Sequence, residues 1–243
     1  MCIRDSVVGV KGITSEKLKE NAKKVYFLNL NEFDKCLDFF QREKVHKIVL
    51  LGKFNKDLLF RHLNVFNSFK KILSKLENGQ DLSFFKLIDR EAKNRGIQIT
   101  EPLSYLSHLL VKEKRLTKTF PTKKELEDIK FGWKIAKELA NLDIGQTVVV
   151  KNSTVIAVEA IEGTDETILR AGRLGGEGNV VVKVARPFQD MRFDIPVVGP
   201  TTLMNMAKVK CRVLAIEKEK VILLHKPEVV RIANESKISI VGI

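Results

Sequence analysis

Helix-spaced and strand-like segments alternate along the first third of the chain, and this alternation restricts the folds available to it. Short apolar runs at residues 7–10 and 47–52 flank a segment with apolar residues at helical spacing. Two parallel strands need a crossover connection, which is usually a helix, so this order predicts a β-α-β unit in a parallel sheet. A second helical segment ends at Gly96 and leads into the strand-like residues 97–100. The sequence therefore predicts an N-terminal α/β domain.

The pattern changes after Pro121, where Thr122 and Glu125 form a predicted capping box that opens a long amphipathic helix. Short β-branched runs with tight turns follow this helix. They predict strands at residues 147–150, 154–160, 180–185, 211–217, 221–224 and 238–243, with helices at 201–208 and from Pro227 onward. We place the domain boundary between Leu116 and Pro121. This gives an N-terminal α/β domain at residues 1–118 and a C-terminal α/β domain with mixed strand pairing at 119–243.

The charge balance indicates an anionic partner. The 243 residues include 43 Lys and Arg against 30 Asp and Glu, a net charge of +13. Such an excess is typical of proteins that bind nucleic acid, phosphorylated ligands or acidic lipid surfaces, although lysines spread over the N-terminal half favour a solvated surface over a binding patch. No RNA-binding aromatic pattern, helix-turn-helix signal or zinc module accompanies it, so we expect no nucleic-acid partner. With no apolar run long enough to cross a bilayer and no secretory signal, we expect a cytoplasmic protein.

The first candidate loop connects a predicted strand to a predicted helix and contains Glu159, Glu162, Gly163, Thr164 and Asp165. With Thr164 as the predicted N-cap, Gly163 and Thr164 would hold an anion through free backbone N–H groups. Glu159, Glu162 or Asp165 would hold a divalent cation through oxygen ligands. Alternatively, Asp165 merely complements the helix dipole. Taken alone, this loop favours that alternative, because helix starts of this kind are common.

The second candidate loop runs over residues 186–200 and places Gln189, Asp190, Arg192 and Asp194 between two prolines. A rigid loop at a strand end is where α/β domains usually place ligands. Arg192 is suited to bind a phosphate with two hydrogen bonds, and Asp194 to orient water, accept its proton or ligate a metal. The alternative is that Arg192 and Asp194 pair with each other across the loop, and both interpretations stay open.

The glycine-rich residues 172–178 are similar in composition to a phosphate-binding loop. They lack the Lys-Ser/Thr ending of a Walker motif and do not fit the G-x-G-x-x-G pattern between a strand and a helix. We therefore expect a surface loop there.

Three ordered stretches carry a resemblance to a known family. They are residues 142–146 (LDIGQ), 155–165 (VIAVEAIEGTD) and 186–199 (RPFQDMRFDIPVVG). In this order and spacing they closely resemble the UDP-2,3-diacylglucosamine pyrophosphatase family of lipid A biosynthesis. The resemblance extends more weakly into the N-terminal domain, at residues 50–54 and 78–82.

The resemblance implies an α/β enzyme with a Rossmann-like partial domain followed by a mixed-sheet domain, and with its active site between them. It would use Mg²⁺ to hydrolyse UDP-2,3-diacylglucosamine to UMP and 2,3-diacylglucosamine 1-phosphate. Together with the loop chemistry it makes Asp194 and Arg192 the catalytic residues, and Asp194, Asp165 and Glu162 the metal ligands. The expected substrate-binding residues are Gln189, Asp190, Gly163, Thr164, Gln146 and Asp81. The alternative function is a non-catalytic protein of the same fold that binds a sugar nucleotide or another anionic ligand.

Two further expectations follow from the resemblance. A lipid substrate implies peripheral attachment to the anionic inner-membrane surface, and a homo-oligomer is an open possibility. Compared with the family, the chain begins near the strand at residues 7–10, so we expect one β-α unit, roughly 20 residues with its connections, to be missing before it. Residues 1–6 resemble no part of the family, and the sequence leaves open whether they are native.

Overall fold

The computed structural model describes residues 6–29, 32–52, 81–187 and 189–243. The chain divides into two compact units, Met1–Thr100 and Glu101–Ile243. The division lies earlier than the predicted boundary, because the connecting segment joins the second unit. The N–H of Val111 donates to the carbonyl of Val221, and the N–H of Leu116 donates to the carbonyl of Ile240.

The described residues of the first unit form two pairs of parallel strands. Its elements are β1 (Ser6–Val10), α1 (Leu18–Asn21), β2 (Lys24–Leu28), α2 (Phe33–Arg42), β3 (Lys47–Val49), α3 (Asp81–Asn94) and β4 (Gln98–Thr100). Strand β1 pairs with β2 and β3 pairs with β4, each in parallel, so the predicted parallel pairing of β3 is confirmed. The sequence analysis missed β2, although its Val, Tyr and Phe are typical strand residues.

The N-terminal part of the family resemblance falls largely outside the described residues. Residues 53–54 and 78–80 are not among them. Asp81 is described only as the first backbone position of α3. Its predicted role in substrate binding stays a prediction.

The second unit is built on a five-stranded mixed sheet in the order β11-β9-β7-β5-β6. These strands are β5 (Thr147–Lys151), β6 (Thr154–Val158), β7 (Val180–Lys183), β9 (Val213–Ile216) and β11 (Ser239–Gly242). Strand β5 runs antiparallel to β6 and β7, whereas β7, β9 and β11 run parallel to one another. A separate parallel pair is formed by β8 (Val197–Val198) and β10 (Ile222–Leu223). The predicted mixed pairing is confirmed.

Helices cover both faces of this sheet. After the short helix α4 (Leu103–Leu106) and a 3₁₀ turn at Ser107–Leu109, helix α5 (Lys123–Asn141) opens with the predicted capping box at Thr122 and Glu125. It packs its alanines on Val148 and Val150. Helices α6 (Thr164–Gly175), α7 (Pro200–Lys208) and α8 (Lys226–Glu235) pack on the opposite face, which includes Val149. Because side chains alternate along a strand, this valine run serves two cores at once.

The glycine-rich stretch is not the surface loop that the sequence analysis predicts. Helix α6 continues through Gly175, and only residues 176–178 lie beyond it. Glycine is required inside the helix by packing, since a β-carbon on Gly172 would lie 2.4 Å from Cβ of Val209. Among the described residues, no helix combines the length and the apolar character that a bilayer crossing requires.

Helix α5 approaches the sheet closely at Gly132, where a β-carbon would lie 2.9 Å from Cγ2 of Val182 and 3.0 Å from Cγ2 of Val150. We expect Gly132→Leu to lower the free energy of unfolding by about 1–3 kcal/mol, because the added carbons overpack this face. The control Lys134→Leu, at an exposed position of the same helix, should change it by less than about 0.5 kcal/mol. Urea denaturation measures both, and equal midpoints for the two variants would contradict this packing.

Candidate active site

Several polar side chains meet at one edge of the five-stranded sheet. Strand β5 is antiparallel to its two neighbours, so its first residue, Thr147, lies opposite Lys183, the last residue of β7. In the same way, Val148 lies opposite the last residue of β6. The residue before β5 and the residues after β6 and β7 are therefore neighbours in space. These residues are Gln146, Glu159 and the segment that contains Arg186.

The Asp194 carboxylate is the centre of a hydrogen-bond cluster at this edge. Its Oδ2 accepts from Nε2 of Gln146 at 3.1 Å, from Nε2 of Gln189 at 2.9 Å and from Nη1 of Arg186 at 2.8 Å. Gln189 also donates to the main-chain carbonyl of Asp194 at 2.8 Å and accepts the N–H of Arg186 at 2.9 Å. The side chain of Asp194 is 38% exposed. The carboxylate is therefore held firmly through one oxygen and is still accessible to solvent.

Arg186 connects two aspartates and was missed by the sequence analysis. Besides Asp194, its guanidinium lies next to Asp143, with Nε 2.8 Å from Oδ1. That oxygen is buried and has no hydrogen bond of good alignment in the described part of the chain, so the contact is an ion pair only. The stretch 142–146 therefore supplies both Asp143 and Gln146 to the cluster.

Backbone contacts hold the residue before Arg186. The N–H of Ala185 donates to Oε2 of Glu217 at 2.8 Å, and its carbonyl accepts from Nζ of Lys137 at 2.9 Å. Lys137 and Glu217 are themselves an ion pair at 3.1 Å. Arg186 thus leaves the sheet from a fixed position.

Arg192 pairs with Asp190, in contrast to the alternative pairing with Asp194. The guanidinium donates to both carboxylate oxygens of Asp190, at 2.9 Å from Nε to Oδ1 and 2.7 Å from Nη2 to Oδ2. The N–H of Arg192 donates to the same carboxylate, an arrangement typical of a turn that begins with aspartate. The hydrogen bond from Arg192 holds the pKa of Asp190 below its ordinary value, although burial opposes this shift.

The first candidate loop ends one residue earlier than predicted. Helix α6 begins at Thr164, and Gly163 is its N-cap, so the assignment of Thr164 as N-cap is wrong. Gly163 has φ 81°, a left-handed conformation that glycine adopts without strain.

The remaining predicted metal ligands contact other partners. Glu162 forms an ion pair with Arg170, and Asp165 Oδ1 accepts from the Thr202 hydroxyl at 2.8 Å. Burial would raise the pKa of Glu162, but backbone hydrogen bonds and Arg170 hold it below its ordinary value. No group of three His, Cys, Asp or Glu side chains suited to a metal occurs among the described residues. The ligand set of Asp194, Asp165 and Glu162 therefore stays a prediction.

A buried ion pair lies beside the Asp194 cluster. Nζ of Lys183 donates to Oγ1 of Thr164 at 2.7 Å and lies 4.0 Å from Oε2 of Glu159. The Glu159 carboxylate accepts from the Thr164 hydroxyl at 2.9 Å and from the N–H of Gln146 at 3.3 Å. Burial alone would raise the pKa of Glu159, but Lys183 and these hydrogen bonds hold it below its ordinary value. The sequence analysis gave Lys183 no role, although a lysine at the end of a valine-rich strand is a detectable signal.

Family models match both parts of the chain. The model of the LpxI N-terminal domain matches residues 3–109, and that of the LpxI C-terminal domain matches residues 112–241. The chain belongs to the LpxI family. A relative named UDP-2,3-diacylglucosamine pyrophosphatase LpxI, from Caulobacter vibrioides, is 27% identical over 173 residues, which are 68% of this chain and 61% of the relative. The family resemblance seen in the sequence and the two-domain α/β class are thereby confirmed.

Most of the predicted site residues of this LpxI chain lie along the one edge. Gln146, Gln189 and Asp194 share a hydrogen-bond cluster. Asp190 and Arg192 form a separate pair four and two residues before Asp194. Thr164 is linked to Gln146 through Glu159, and Gly163 precedes it.

The Asp190–Arg192 pair makes a prediction for acid titration. We expect Arg192→Gln to raise the pKa of Asp190 towards its ordinary value, because the guanidinium favours the charged carboxylate. A lowered pKa stabilises the folded protein above the unfolded-state pKa, and this stability is lost as the pH falls through the folded-state value. Carboxyl ¹³C shifts measure the titration. The control Arg173→Gln, at an exposed position on α6, should not move it, and an unmoved pKa in Arg192→Gln would refute the pairing.

Proposed function

We propose that this chain hydrolyses the pyrophosphate of UDP-2,3-diacylglucosamine to give UMP and 2,3-diacylglucosamine 1-phosphate. Membership of the LpxI family and the name of the Caulobacter relative support the substrate. The observation that carries the proposal is the Asp194 carboxylate, which three donors hold through Oδ2 while the side chain stays partly exposed.

The two carboxylate oxygens of Asp194 have different roles in this proposal. Oδ2 accepts all three donors, which fix the orientation of the carboxylate. Among the described residues no donor contacts Oδ1, so Oδ1 is the atom that would orient the attacking water and accept its proton. The water oxygen then bonds to phosphorus, and the bridging P–O bond breaks with its electrons leaving on the departing phosphate.

Cationic side chains at the same edge suit a substrate with two phosphates. The Arg192 side chain is about one-third exposed, so a phosphate can reach it. The phosphate would then share the guanidinium with Asp190. Arg186 is bound to Asp194 and Asp143 and holds the catalytic carboxylate in position. Arg192 is therefore our candidate for phosphate binding and Arg186 for positioning.

Magnesium, which the family resemblance implies, belongs to this proposal. Asp194 fits the ion, because Mg²⁺ is usually held by one or two carboxylates together with substrate phosphates, and this side chain is 38% exposed. When bound, the ion would neutralise charge on the phosphoryl oxygens. Glu162 and Asp165 would join it only by giving up their contacts with Arg170 and Thr202.

We expect Asp194→Asn to lower kcat by about 100-fold or more, the usual scale for loss of a general base or a comparable electrostatic group. The amide oxygen of asparagine can still accept the three donors, so the fold and substrate binding should survive. UMP release from UDP-2,3-diacylglucosamine with Mg²⁺, and its loss on chelation with EDTA, is the measurement.

The control is Glu177→Gln, which neutralises an exposed carboxylate that also pairs with a cation. It should keep the wild-type rate. Turnover of Asp194→Asn within a few-fold of wild type would move the catalytic assignment to Asp165 or Glu162. Substrate binding by the wild type without UMP release would favour the alternative of a non-catalytic binding protein.

The charge of the chain leads us to propose peripheral binding to an anionic bilayer, from which the diacylated substrate would be taken. Each basic residue near such a surface contributes about 1 kcal/mol, and salt screens the attraction. With a net charge of +13, the protein should float with phosphatidylglycerol vesicles at low salt and detach as salt rises. Neutral phosphatidylcholine vesicles are the control. Absence of binding at low salt, or binding insensitive to salt, would contradict the proposal.

A further inference from the structure

The ion pair of Lys183 and Glu159 is costly and takes no part in the chemistry proposed for Asp194. Only 6% of the Lys183 side chain and 12% of the Glu159 side chain are exposed. Even when they are paired and hydrogen-bonded, two charges removed from water usually contribute no net stability compared with apolar side chains of similar volume. A strand end in a valine-rich sheet needs no charges for packing. The position of this pair beside the site therefore calls for a role there.

Glu159 holds the backbone that carries Gln146. Its Oε2 accepts the N–H of Gln146 at 3.3 Å. Independently, a β-carbon on Gly145 would lie 2.0 Å from the carbonyl oxygen of Glu159, so the preceding residue packs directly on the Glu159 backbone. Nε2 of Gln146 in turn donates to Oδ2 of Asp194 at 3.1 Å. Movement of Glu159 would therefore displace a donor of the catalytic carboxylate.

Lys183 determines the direction of the hydrogen bonds in this network. An ammonium group only donates, so Oγ1 of Thr164 must accept from Lys183. The hydroxyl hydrogen of Thr164 is then directed to Oε1 of Glu159, at 2.9 Å. Lys183 also donates to Oγ1 of Thr147 at 3.3 Å, next to Gln146 in the chain. The Glu159 carboxylate thus accepts from Thr164 through Oε1 and from the N–H of Gln146 through Oε2.

We propose that Glu159, oriented by Lys183 through Thr164, is a positioning residue that sets the Gln146 side chain against Asp194. The effect on turnover rests on the function proposed above, whereas the position of the Gln146 side chain does not. Glu159→Gln replaces one acceptor by an amide donor and leaves Lys183 without its counter-charge. The expected result is a kcat lowered by about 10- to 100-fold with KM changed less than about twofold, because a displaced catalytic group slows the reaction without removing a substrate contact.

A double-mutant cycle separates positioning from general stability. In a Gln146→Ala background, Glu159→Gln should change kcat by less than about twofold, since the side chain through which it acts is already absent. Multiplicative losses of kcat in the double variant would overturn the proposal.

Asp128→Asn is the matched control. Asp128 is also a buried carboxylate that accepts two backbone N–H groups, those of Asn152 at 3.0 Å and Ser153 at 2.6 Å, at the opposite end of the β5–β6 hairpin. It should lower thermal stability and keep the wild-type kcat. If it lowers kcat as much as Glu159→Gln does, loss of stability explains both and the proposal is wrong.

A readout without substrate distinguishes this proposal from the function itself. The side-chain amide NMR signals of Gln146 are assigned by their disappearance in Gln146→Ala. They should shift in Glu159→Gln and stay in place in Asp128→Asn; unshifted signals in Glu159→Gln overturn the positioning role even if the wild type is active. If the wild type releases no UMP, the proposed function fails while the amide shift still decides the positioning. Should Glu159→Gln not fold, Lys183→Met is expected to produce the same amide shift.

Discussion

The antiparallel pairing of β5 with both of its neighbours is the constraint on which the candidate site depends. It brings the start of β5 next to the ends of β6 and β7, so that Gln146, Glu159 and Lys183 meet although the chain separates them. A slip of one residue would turn Val148 and Val150 towards the opposite core and move every polar side chain at the edge. The two valine cores and the site are therefore set by the same register.

Three pairs of opposite charges lie in this part of the second unit. Asp194 pairs with Arg186, Asp190 with Arg192, and Glu159 with Lys183. The pKa values of Asp190 and Glu159 lie below their ordinary values, so both carboxylates stay ionised at neutral pH. Fixed, hydrogen-bonded charges need no rearrangement when a charged substrate arrives, which is the usual source of electrostatic catalysis.

Periodicity predicted the elements of the second unit well because most of its strands and helices are bounded by local signals, such as the capping box at Thr122. Helix α6 begins one residue earlier than predicted, because the sequence does not reveal the positive φ that makes Gly163 the N-cap. Gly172 was wrongly assigned to a surface loop, because the need for glycine there comes from packing against Val209, a tertiary contact that the sequence does not show. Asp194 and Gln189 were recognisable from their loop. The contacts of Arg186 and Lys183 were not, because strand register decides which side chains they meet.

Solvent access separates the two carboxylates that share Gln146. Asp194 is 38% exposed, and in the described part of the chain only its Oδ2 accepts side-chain hydrogen bonds, so a ligand or water can reach Oδ1. Glu159 is 12% exposed, and both of its oxygens accept protein hydrogen bonds. Exchanging those bonds for a water or a metal would leave the buried Lys183 without its hydrogen-bonded counter-charge. Glu159 is therefore energetically unfavourable as the reacting group. Asp194 and Glu159, which both accept hydrogen bonds from Gln146, are therefore suited to different roles because their environments differ.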